Sequence, residues 1–408
     1  MTFKVKTKGQ IEGEKLLVPK LRFKEFKNEW NEITLKKLLS FKNGINGDKD
    51  SYGYGIKYIS VGDILNNTYI TYDKIKGLID INDKTLKENS VEYGDMVFQR
   101  SSETFNDIGQ ANVYLDKKKI ATFGGFVIRG KKIGNYNPLF FNYLLKSPCN
   151  RKKVIVKGAG AQHYNISQEE LEKIKVNFTG EKEQVKIANL FYSLDKKIEL
   201  QKQKIEALKI YKKGLIQKYF ESKNGEKIKI SEILEEVINK TTENNQYEVI
   251  SSTKDGLFLQ SEYFSRSIAS DNNIGYKILK KNQIVLSPQN LWMGNINYNN
   301  QYEIGMVSPS YKIFNINKKF DKDYISNLLK TNKAIYYYTI NSEQGASIVR
   351  RNLNMESFYE INFVIPDIAE QNKKGKIINE IAQKIEKEEK KYQKLDKLKK
   401  GLLQKMFI

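Results

Sequence analysis

Cysteine and histidine are almost absent from this sequence, since Cys149 and His163 are the only residues of their types. A single cysteine excludes an internal disulfide framework and a cysteine-built metal site. A single histidine cannot supply a His/Cys metal site or a paired acid–base system on its own. No run of about 18 apolar residues occurs, and the first residues lack the apolar stretch of a signal peptide. We therefore expect no membrane span and a cytoplasmic protein.

Patterns typical of enzymes are incomplete. Asn137-Pro138-Leu139-Phe140 approaches the (N/D)PP(Y/F) strip that holds a flipped base in methyltransferases, but it lacks the second proline. We predict instead a helix with Pro138 at its first position. Residues 125–132 approach the phosphate loop GxxxxGK, but Lys132 replaces the Ser or Thr that would bind Mg²⁺, and the span is typical of a strand running into a turn. A Ser-His-Asp triad around His163 has no supporting elbow. We expect no catalysis, no metal site and no cofactor in this chain.

Positive charge, in contrast, is abundant: 70 Lys and Arg residues face 48 Asp and Glu residues, which gives a formal net charge of +22. An excess of this size attracts polyanions. Nucleic acid is the commonest such partner, and an anionic membrane surface is the alternative. Because 39% of the residues are hydrophobic and 12% are aromatic, the chain can form packed cores and is not a disordered basic tail. A length of 408 residues predicts two or three domains.

The chain repeats itself. KGLIQKYF at 213–220 returns as KGLLQKMF at 400–407, and Glu183-Gln184 returns as Glu370-Gln371, both at an offset of 187 residues. Near the front, ITLKKLL at 33–39 aligns with IKISEIL at 228–234. A period this long excludes a solenoid and predicts a duplicated unit of one domain followed by one helix.

Each unit contains a mixed globular part and then a long helix. Short β-like runs such as 56–64, 95–100, 121–129, 282–288 and 310–316 are separated by Gly, Asn and Asp turns, and helix-like segments follow at 137–147 and 321–331. The predicted fold class is α+β, with two similar α/β domains separated by two long helices and an internal pseudo-two-fold repeat. The predicted boundaries are 1–180 and 222–367 for the domains, and 181–221 and 368–408 for the helices.

Apolar residues repeat at heptad spacing in both helical segments. Polar residues interrupt the two seams at the same steps, Gln201 and Lys212 in the first and Glu388 and Lys399 in the second. The chain can reverse between the two copies, so we predict an antiparallel pair; the alternative is that each helix packs only on its own domain. At 1.5 Å per residue each helix is roughly 54 Å long, enough to hold two DNA readers about one 34 Å helical turn apart. The predicted pairing residues are Phe191, Leu194, Ile198, Ile205, Leu208, Leu215, Ile378, Ile381, Ile385, Tyr392, Leu395 and Leu402.

These features resemble the specificity subunits of type I restriction-modification systems. The resemblance rests on duplicated domains alternating with long helices that end KGLxQKxF, on VPKLRFKEF…W at 18–30, and on GAGAQHYNISQEELEKIKV at 158–176. It covers nearly the whole chain. It implies two target recognition domains that each read one half of a split, asymmetric sequence in double-stranded DNA. It also implies that the helices set the gap and dock two methyltransferase subunits.

The same resemblance assigns the chemistry to partners. Methyltransferase subunits would use S-adenosylmethionine to methylate adenine, and motor/nuclease subunits would use ATP and Mg²⁺. This chain would then be a non-catalytic, sequence-specific DNA-binding subunit. Two other interpretations stay open: a recognition region separated from a single-chain restriction-methyltransferase, and a structural coiled-coil protein with two inserted heads. A homodimeric regulator is disfavoured, because the duplication already supplies two-fold symmetry within one chain.

Candidate DNA contacts are expected at strand ends and Gly-rich turns, because Arg, Lys, Asn and Gln read base edges while Lys, Arg and Ser grip phosphates. For Arg100 the alternative is a salt bridge to Glu103, and for the loop 157–165 it is a helix cap at Asn165 or Ser167. The candidates in the first domain are Gln99, Arg100, Ser101, Ser102, Lys157, Gln162, His163, Tyr164 and Asn165.

The matching positions of the second domain carry different side chains. Arg350 and Arg351 align with His163 and Tyr164, and Trp292 is more typical of a core than of an interface. Unlike residues at matched positions would explain the reading of two different half-sites. The candidates in the second domain are Gln289, Asn290, Gln344, Ser347, Arg350, Arg351 and Asn352.

Overall fold

A computed structural model describes residues 3–5, 17–160, 163–221, 224–263, 272–344 and 351–408. The chain divides into two compact units, one formed by Met1–Lys202 with Lys390–Ile408 and the other by Gln203–Glu389. Each unit combines small, mostly antiparallel sheets and short helices with part of each of two long helices.

The first unit has its strands and short helices between residues 3 and 178. Its strands are β1 Phe3–Val5, β2 Leu21–Phe23, β3 Asn31–Thr34, β4 Leu39–Asn43, β5 Tyr52–Ile59, β6 Gly77–Ile79, β7 Met96–Gln99, β8 Ser101–Ser102, β9 Ala111–Val113, β10 Thr122–Phe123, β11 Val127–Lys132, β12 Tyr164–Asn165 and β13 Lys175–Phe178. Its short helices are α1 Val61–Asn66, α2 Asp83–Glu88, α3 Pro138–Lys146, α4 Pro148–Ile155 and α5 Gln168–Glu172. The first long helix, α6 Glu181–Phe220, follows.

The second unit follows α6 and, like the first, ends with a long helix. Its strands are β14 Glu226–Lys229, β15 Leu234–Val237, β16 Ile250–Thr253, β17 Gly256–Leu259, β18 Lys277–Lys280, β19 Gln283–Leu286, β20 Ile296–Tyr298, β21 Ile304–Val307, β22 Lys312–Ile316, β23 Ser342–Gln344, β24 Arg351–Leu353 and β25 Asn362–Ile365. Its short helices are α7 Ile230–Ile233, α8 Gln260–Tyr263, α9 Lys322–Leu328, α10 Asn332–Ile340 and α11 Met355–Tyr359, and the second long helix is α12 Ile368–Met406.

The central sheets of the two units have the same topology. The order is β4-β11-β7-β9 in the first unit and β15-β22-β19-β20 in the second. All pairs in both sheets are antiparallel. The internal repeat that the sequence predicts is therefore present in the sheets as well as in the helices.

The repeated Glu-Gln dipeptide has a structural role that is the same in both units. The Gln184 side chain accepts a hydrogen bond from Asn137 N at 2.9 Å and donates to Thr179 O at 2.6 Å. The Gln371 side chain accepts from Asp321 N at 3.0 Å and donates to Pro366 O at 2.8 Å. Asn137 and Asp321 are the N-caps of α3 and α9. Each glutamine thus fastens the start of a long helix to the start of a domain helix, and both glutamines are buried.

The sequence prediction for residues 137–147 is confirmed. Helix α3 begins with Pro138 at its first turn, and the Asn137 side chain accepts a hydrogen bond from Phe140 N. The prediction for 56–64 is correct only in part, because the strand ends at Ile59 and α1 follows. The reason is a capping pair: the Asp63 carboxylate accepts hydrogen bonds from Ser60 N at 2.9 Å and from Ser60 Oγ at 2.8 Å, and this starts a helix within an apolar run.

In the first unit the two long helices run antiparallel. Phe191 of α6 lies 5.8 Å from the ring of Phe407, and Lys202 of α6 lies 5.6 Å from the ring of Tyr392, so residue numbers rise along one helix as they fall along the other. Phe191 also stacks at 5.0 Å on Tyr143 of α3. Each helix therefore packs on the domain and on its partner helix, and the two alternatives drawn from the sequence hold together.

The second unit shows the same antiparallel arrangement, because Glu388 of α12 lies at Lys204 of α6, whereas Lys374, earlier in α12, lies 5.6 Å from the ring of Tyr219, later in α6. Lys204 pairs with the buried Glu388 at 2.9 Å, and Lys209 pairs with Glu389 at 2.7 Å. All of the predicted pairing residues are buried or half-buried. Those in the first unit are Phe191, Leu194, Ile198, Tyr392, Leu395 and Leu402, and those in the second are Ile205, Leu208, Leu215, Ile378, Ile381 and Ile385.

Candidate nucleic-acid interface

In the first unit, two segments that are far apart in sequence lie side by side. Strand β8 follows β7 directly and pairs antiparallel with β12, so Ser101 faces Asn165. Ser101 Oγ donates to Asn165 Oδ1 at 2.5 Å, and Ile166 N donates to Arg100 O at 3.0 Å. The predicted sites at 99–102 and 157–165 therefore belong to one surface.

Arg100 is exposed on this surface and is held by backbone atoms. Its backbone N–H donates to Phe126 O at 2.9 Å, and its Nη1 donates to Gly125 O at 3.3 Å. Among the described residues the guanidinium group forms no ion pair, and the alternative salt bridge to Glu103 does not form. Its positive charge is thus available to an anionic ligand.

Gln99 and Ser102 are buried on either side of Arg100 and Ser101. Gln99 is 5% exposed and its Nε2 donates to Ser101 O at 2.9 Å. Ser102 is 9% exposed and its hydroxyl accepts a hydrogen bond from Thr104 N at 3.1 Å. In this conformation both side chains brace the segment, while Arg100 and Ser101 face outward.

The loop 157–165 is followed at once by one of the two helix caps that the sequence predicted as the alternative. Ser167 is the N-cap of α5 and accepts a hydrogen bond from Glu170 N at 3.2 Å. Lys157 pairs with the Glu170 carboxylate at 3.0 Å. Hydrogen bonds from Lys173 and Lys157 hold the pKa of Glu170 below its usual value. The charge of Lys157 is therefore partly compensated inside the loop, unlike that of Arg100.

The segments surround an open cleft of about 620 Å³ whose lining includes Arg100, Lys157, Asn165 and Glu170. His163 is exposed beside this cleft, and Gln162 lies outside the described residues. Tyr164 is half-buried and packs edge-on against Phe105 at 5.3 Å. The cleft presents amide, hydroxyl and cationic groups together, which are the groups that contact bases and phosphates in DNA.

The second unit brings the matching segments together in another way. Gln289 follows the end of β19, and its carbonyl accepts a hydrogen bond from Arg351 N at 3.3 Å. Arg351 starts β24 and pairs with Gln344 of β23. Gln289 and Asn352 are exposed, and Asn290 is half-buried. Ser347 and Arg350 lie outside the described residues, as does the side chain of Gln344.

Arg351 is positioned by an aromatic ring. Its Cζ lies 5.5 Å from the centre of the Trp292 ring, and its Nη1 donates to Thr339 O at 3.1 Å. A guanidinium group over an indole face is stabilised by cation–π attraction. Trp292, which the sequence favoured as a core residue, is half-buried. It combines packing with a contact to a candidate DNA-binding side chain.

Two aromatic residues beside Arg100 were not identified from the sequence. Phe105 is 42% exposed and contacts Tyr164, and Phe126 is 66% exposed and follows Gly124-Gly125. The Gly-Gly pair was a usable signal, because it marks a turn at the end of a strand. The apolar run at 121–129 predicts one continuous strand, whereas the structure has two strands, β10 and β11, separated by this turn.

Three further features considered from the sequence are a phosphate loop, a metal site and a membrane span. Residues 127–132 form strand β11, which is the strand interpretation of the incomplete phosphate loop. In the part of the chain that the structure describes, no three or more His, Cys, Asp or Glu side chains come together as a metal site. None of the described helices is both long and apolar enough to span a membrane.

Comparison with known proteins connects this architecture to one family. Residues 27–210 match the family model of the type I restriction modification DNA specificity domain. The chain is 28% identical over 224 residues to a Methanocaldococcus jannaschii protein named as the MjaX type I restriction enzyme specificity subunit. This match covers 52% of the chain and 51% of the relative, so it spans about half the length of that protein.

The chain resembles a type I restriction-modification specificity subunit. A crystal structure of a type I S subunit from M. genitalium matches with a TM-score of 0.60 at 17% identity, covering 96% of this chain and 99% of that one. A second structure, from work on assembly and conformational transition of a type I R-M system, matches with a TM-score of 0.54 at 9% identity over 92% of this chain and 96% of that one. At these identities the likeness concerns the fold, and it confirms the specificity-subunit fold class predicted from the sequence.

Proposed function

We propose that this chain reads a split, two-part sequence in double-stranded DNA as the specificity subunit of a type I restriction-modification complex. The observation that carries the proposal is the repeated pairing of the same two segments. In each unit the segment after a central strand meets a distant segment, at Arg100, Ser101 and Asn165 in the first unit and at Gln289 and Arg351 in the second. One scaffold with different side chains at matched places suits two different half-sites.

The chemistry of these residues supports contact with DNA. Arginine pairs with guanine edges or phosphates, and asparagine and glutamine pair with adenine edges. The chain's net charge of +22 supports the electrostatic part of binding, which falls steeply with salt. We assign direct contact to Arg100, Ser101, Asn165, Gln289 and Arg351. We assign Gln99 and Ser102 to support of the segment, because their side chains are buried.

The remaining candidates complete the proposed surfaces around these contacts. We propose that Lys157 and Asn290 contact DNA at the edges of the proposed surfaces and that Asn352 faces the DNA. Further proposed contacts are Gln162, His163, Tyr164, Gln344, Ser347 and Arg350.

We further propose that the long helices dock two methyltransferase subunits and that motor/nuclease subunits complete the complex. S-adenosylmethionine, ATP and Mg²⁺ would then be used by those partners in the cytoplasm, and this chain would have no catalytic step of its own. Exposed apolar residues on the helices, such as Tyr192, Ile210 and Leu398, offer contact area for partners.

Adenine methylation mapping tests the proposal. The full chain is co-expressed with the methyltransferase encoded beside its gene, in a host without DNA methylation, and modified adenines are located by long-read sequencing. We expect methylation within two short blocks separated by a fixed unspecified gap. No methylation with a folded, bound partner would contradict sequence reading, and no partner binding would contradict the assignment to a specificity subunit.

Matched variants separate the two domains in the same assay. Arg100→Ala should relax or abolish the block read by the first unit, and Arg351→Ala should affect the other block. Lys281→Ala is the control, because Lys281 is exposed at the opposite end of β19 and is already paired with Glu303. Loss of both blocks on changing only Arg100, with a folded chain, would contradict the assignment of one block to each unit.

A further inference from the structure

The turn between β10 and β11 presents an apolar side chain to solvent beside Arg100. Phe126 is 66% exposed, among the highest values for a large hydrophobic residue in the described chain. The last paired residues of β7 and β11 are Gln99 and Val127. Arg100 and Phe126 are the next residues along, and Arg100 N donates a hydrogen bond to Phe126 O at 2.9 Å. Cross-strand neighbours of an antiparallel pair project from the same face. Phe126 and Arg100 are therefore neighbours on the proposed DNA-binding surface.

The turn that carries Phe126 packs closely against neighbouring side chains. A Cβ atom on Gly124 would lie 2.1 Å from the Tyr58 hydroxyl, and one on Gly125 would lie 2.0 Å from Asn46 Oδ1. Val127 N donates to Gly124 O at 2.8 Å across the turn. The two glycines thus pack directly against Tyr58 and Asn46, where a larger side chain would not fit. In this closely packed turn the phenyl ring of Phe126 is exposed to solvent.

The second unit shows that this exposure is not a requirement of the fold. Its equivalent strands end in the pair Leu286 with Lys312, so Tyr311 stands where Phe126 stands in the first unit. Tyr311 is half-buried, and its hydroxyl donates to Ser252 O at 3.3 Å. The same position can therefore turn an aromatic ring into the domain. In the first unit the ring is left in water, next to an arginine without an ion pair among the described residues.

We propose that Phe126 is a specificity-determining residue of the first unit that contacts bases of the DNA target. An exposed phenyl ring can meet a thymine methyl group in the major groove or wedge against a base step, and both contacts depend on base identity. Arg100 beside it supplies the charge that binds a guanine edge or a phosphate. The inference rests on the proposed function of the chain as a reader of DNA sequence.

The experiment compares target selection by the wild-type chain and two variants, each as the full chain with its methyltransferase partner. A library of random DNA duplexes is selected by each complex, and binding to the selected duplex is compared with binding to a scrambled duplex of the same composition. Phe126→Ala tests the proposal. Ile133→Ala is the matched control, because Ile133 is 60% exposed at the other end of β11 and far from Arg100 in the strand.

We expect Phe126→Ala to lose preference at one or two positions within a single block of the target, with the ratio of target to scrambled binding reduced about tenfold. Phe126→Leu should recover part of this ratio, and Ile133→Ala should leave the selected sequence unchanged. If the lost positions include thymine, replacing it with deoxyuridine should weaken binding by wild type but not by Phe126→Ala. If deoxyuridine weakens binding by neither protein, the fluorescence of 2-aminopurine placed at the same base step should show less unstacking of the bases with Phe126→Ala than with wild type.

Several outcomes overturn the inference. One is an unchanged selected sequence for a Phe126→Ala chain whose thermal unfolding matches wild type. Another is an equal loss of binding to target and scrambled duplexes, which would make Phe126 a non-specific contact. If the wild-type complex selects no sequence, the proposed function fails and this inference fails with it. If the wild-type complex selects a split sequence and the Phe126→Ala complex selects the same one, the proposed function stands and Phe126 has no part in it.

Discussion

Lys399 and Asp195 form an ion pair between the two long helices of the first unit, with 2.5 Å between Lys399 Nζ and Asp195 Oδ1. Asp195 is buried and also accepts a hydrogen bond from the Tyr143 hydroxyl at 2.6 Å. The carboxylate therefore links α12, α6 and the domain helix α3 at one point. The pattern of the sequence identified Lys399 as a polar interruption of the seam, but it did not identify the partner of Lys399.

Removing this carboxylate should destabilise the first unit. Asp195→Ala leaves a buried tyrosine hydroxyl and a largely buried ammonium group without their acceptor, so we expect the free energy of unfolding to fall by about 2–3 kcal/mol. Urea denaturation followed by circular dichroism measures this change. Asp396→Ala is the control, because its pair with Lys400 is exposed and should contribute less than about 0.5 kcal/mol. Equal effects of the two changes would contradict a structural role for the Asp195 pair.

The C-terminal phenylalanine is part of the core of the first unit. Phe407 is 3% exposed, and its ring lies 6.2 Å from Trp30, 5.8 Å from Phe140 and 5.8 Å from Phe191. We expect Phe407→Ala to lower the free energy of unfolding by about 3–5 kcal/mol through the cavity it leaves. Fluorescence of Trp30 should shift with the change, since only two tryptophans are present. Leu398→Ala, on the exposed side of α12, should leave both quantities near wild type.

Much of the fold could be predicted because the sequence contains an internal repeat, so that each half can be compared with the other. The Glu-Gln and KGLxQKxF repeats fixed the long helices, and α6 covers the residues expected to be helical. Heptad spacing indicated an apolar seam whose members are buried or half-buried. Local chemistry was less visible: the helix that starts after Ser60 was missed, because its capping pair lies inside an apolar run that reads as a strand.

The candidate site could be predicted as segments but not as individual side chains. Turn residues after a central strand indicated 99–102 in the first domain and Gln289 and Asn290 in the second, and the repeat indicated the loops that meet these segments. Which side chain faces outward depends on packing that the sequence pattern does not encode. Gln99 is buried against Ser101 O, and Phe126 is exposed, although residue type alone suggests the reverse.

Lys146 should make the stability of the first unit depend on pH. Its ammonium group donates to Thr68 O at 2.7 Å, and burial together with the charge of Lys399 lowers its pKa to about 7. The charges of Asp195 and Lys74 have smaller, opposite effects on this pKa. Between pH 7 and an unfolded pKa of 10.5 the unfolded chain binds more protons, so stability rises with pH across this window. Below pH 7 the full penalty for charging Lys146 is present.

Lys146→Met tests this dependence. The variant should be more stable than wild type near pH 6 and should approach it toward pH 10, as measured by thermal unfolding across this range. Lys400→Met is the control, because Asp396 raises the pKa of Lys400 at an exposed site, so its removal should bring no gain near pH 6. A Lys146→Met protein with the wild-type pH profile would show that this lysine stays charged without penalty in the folded chain.

The contact between Arg351 and Trp292 leads to a prediction about DNA binding by the second unit. If Arg351 contacts a phosphate, Arg351→Gln should weaken binding to all duplexes and reduce the slope of log affinity against log salt by about one. If it contacts a guanine edge, the loss should instead be confined to the target sequence.

Trp292→Leu removes the ring beneath the guanidinium but no charge, so it should weaken binding while leaving the salt slope near wild type. Lys281→Gln controls for a change of net charge alone. Wild-type binding by Arg351→Gln at every salt concentration would exclude Arg351 from the interface, and the contact with Trp292 would then serve only the packing of the domain.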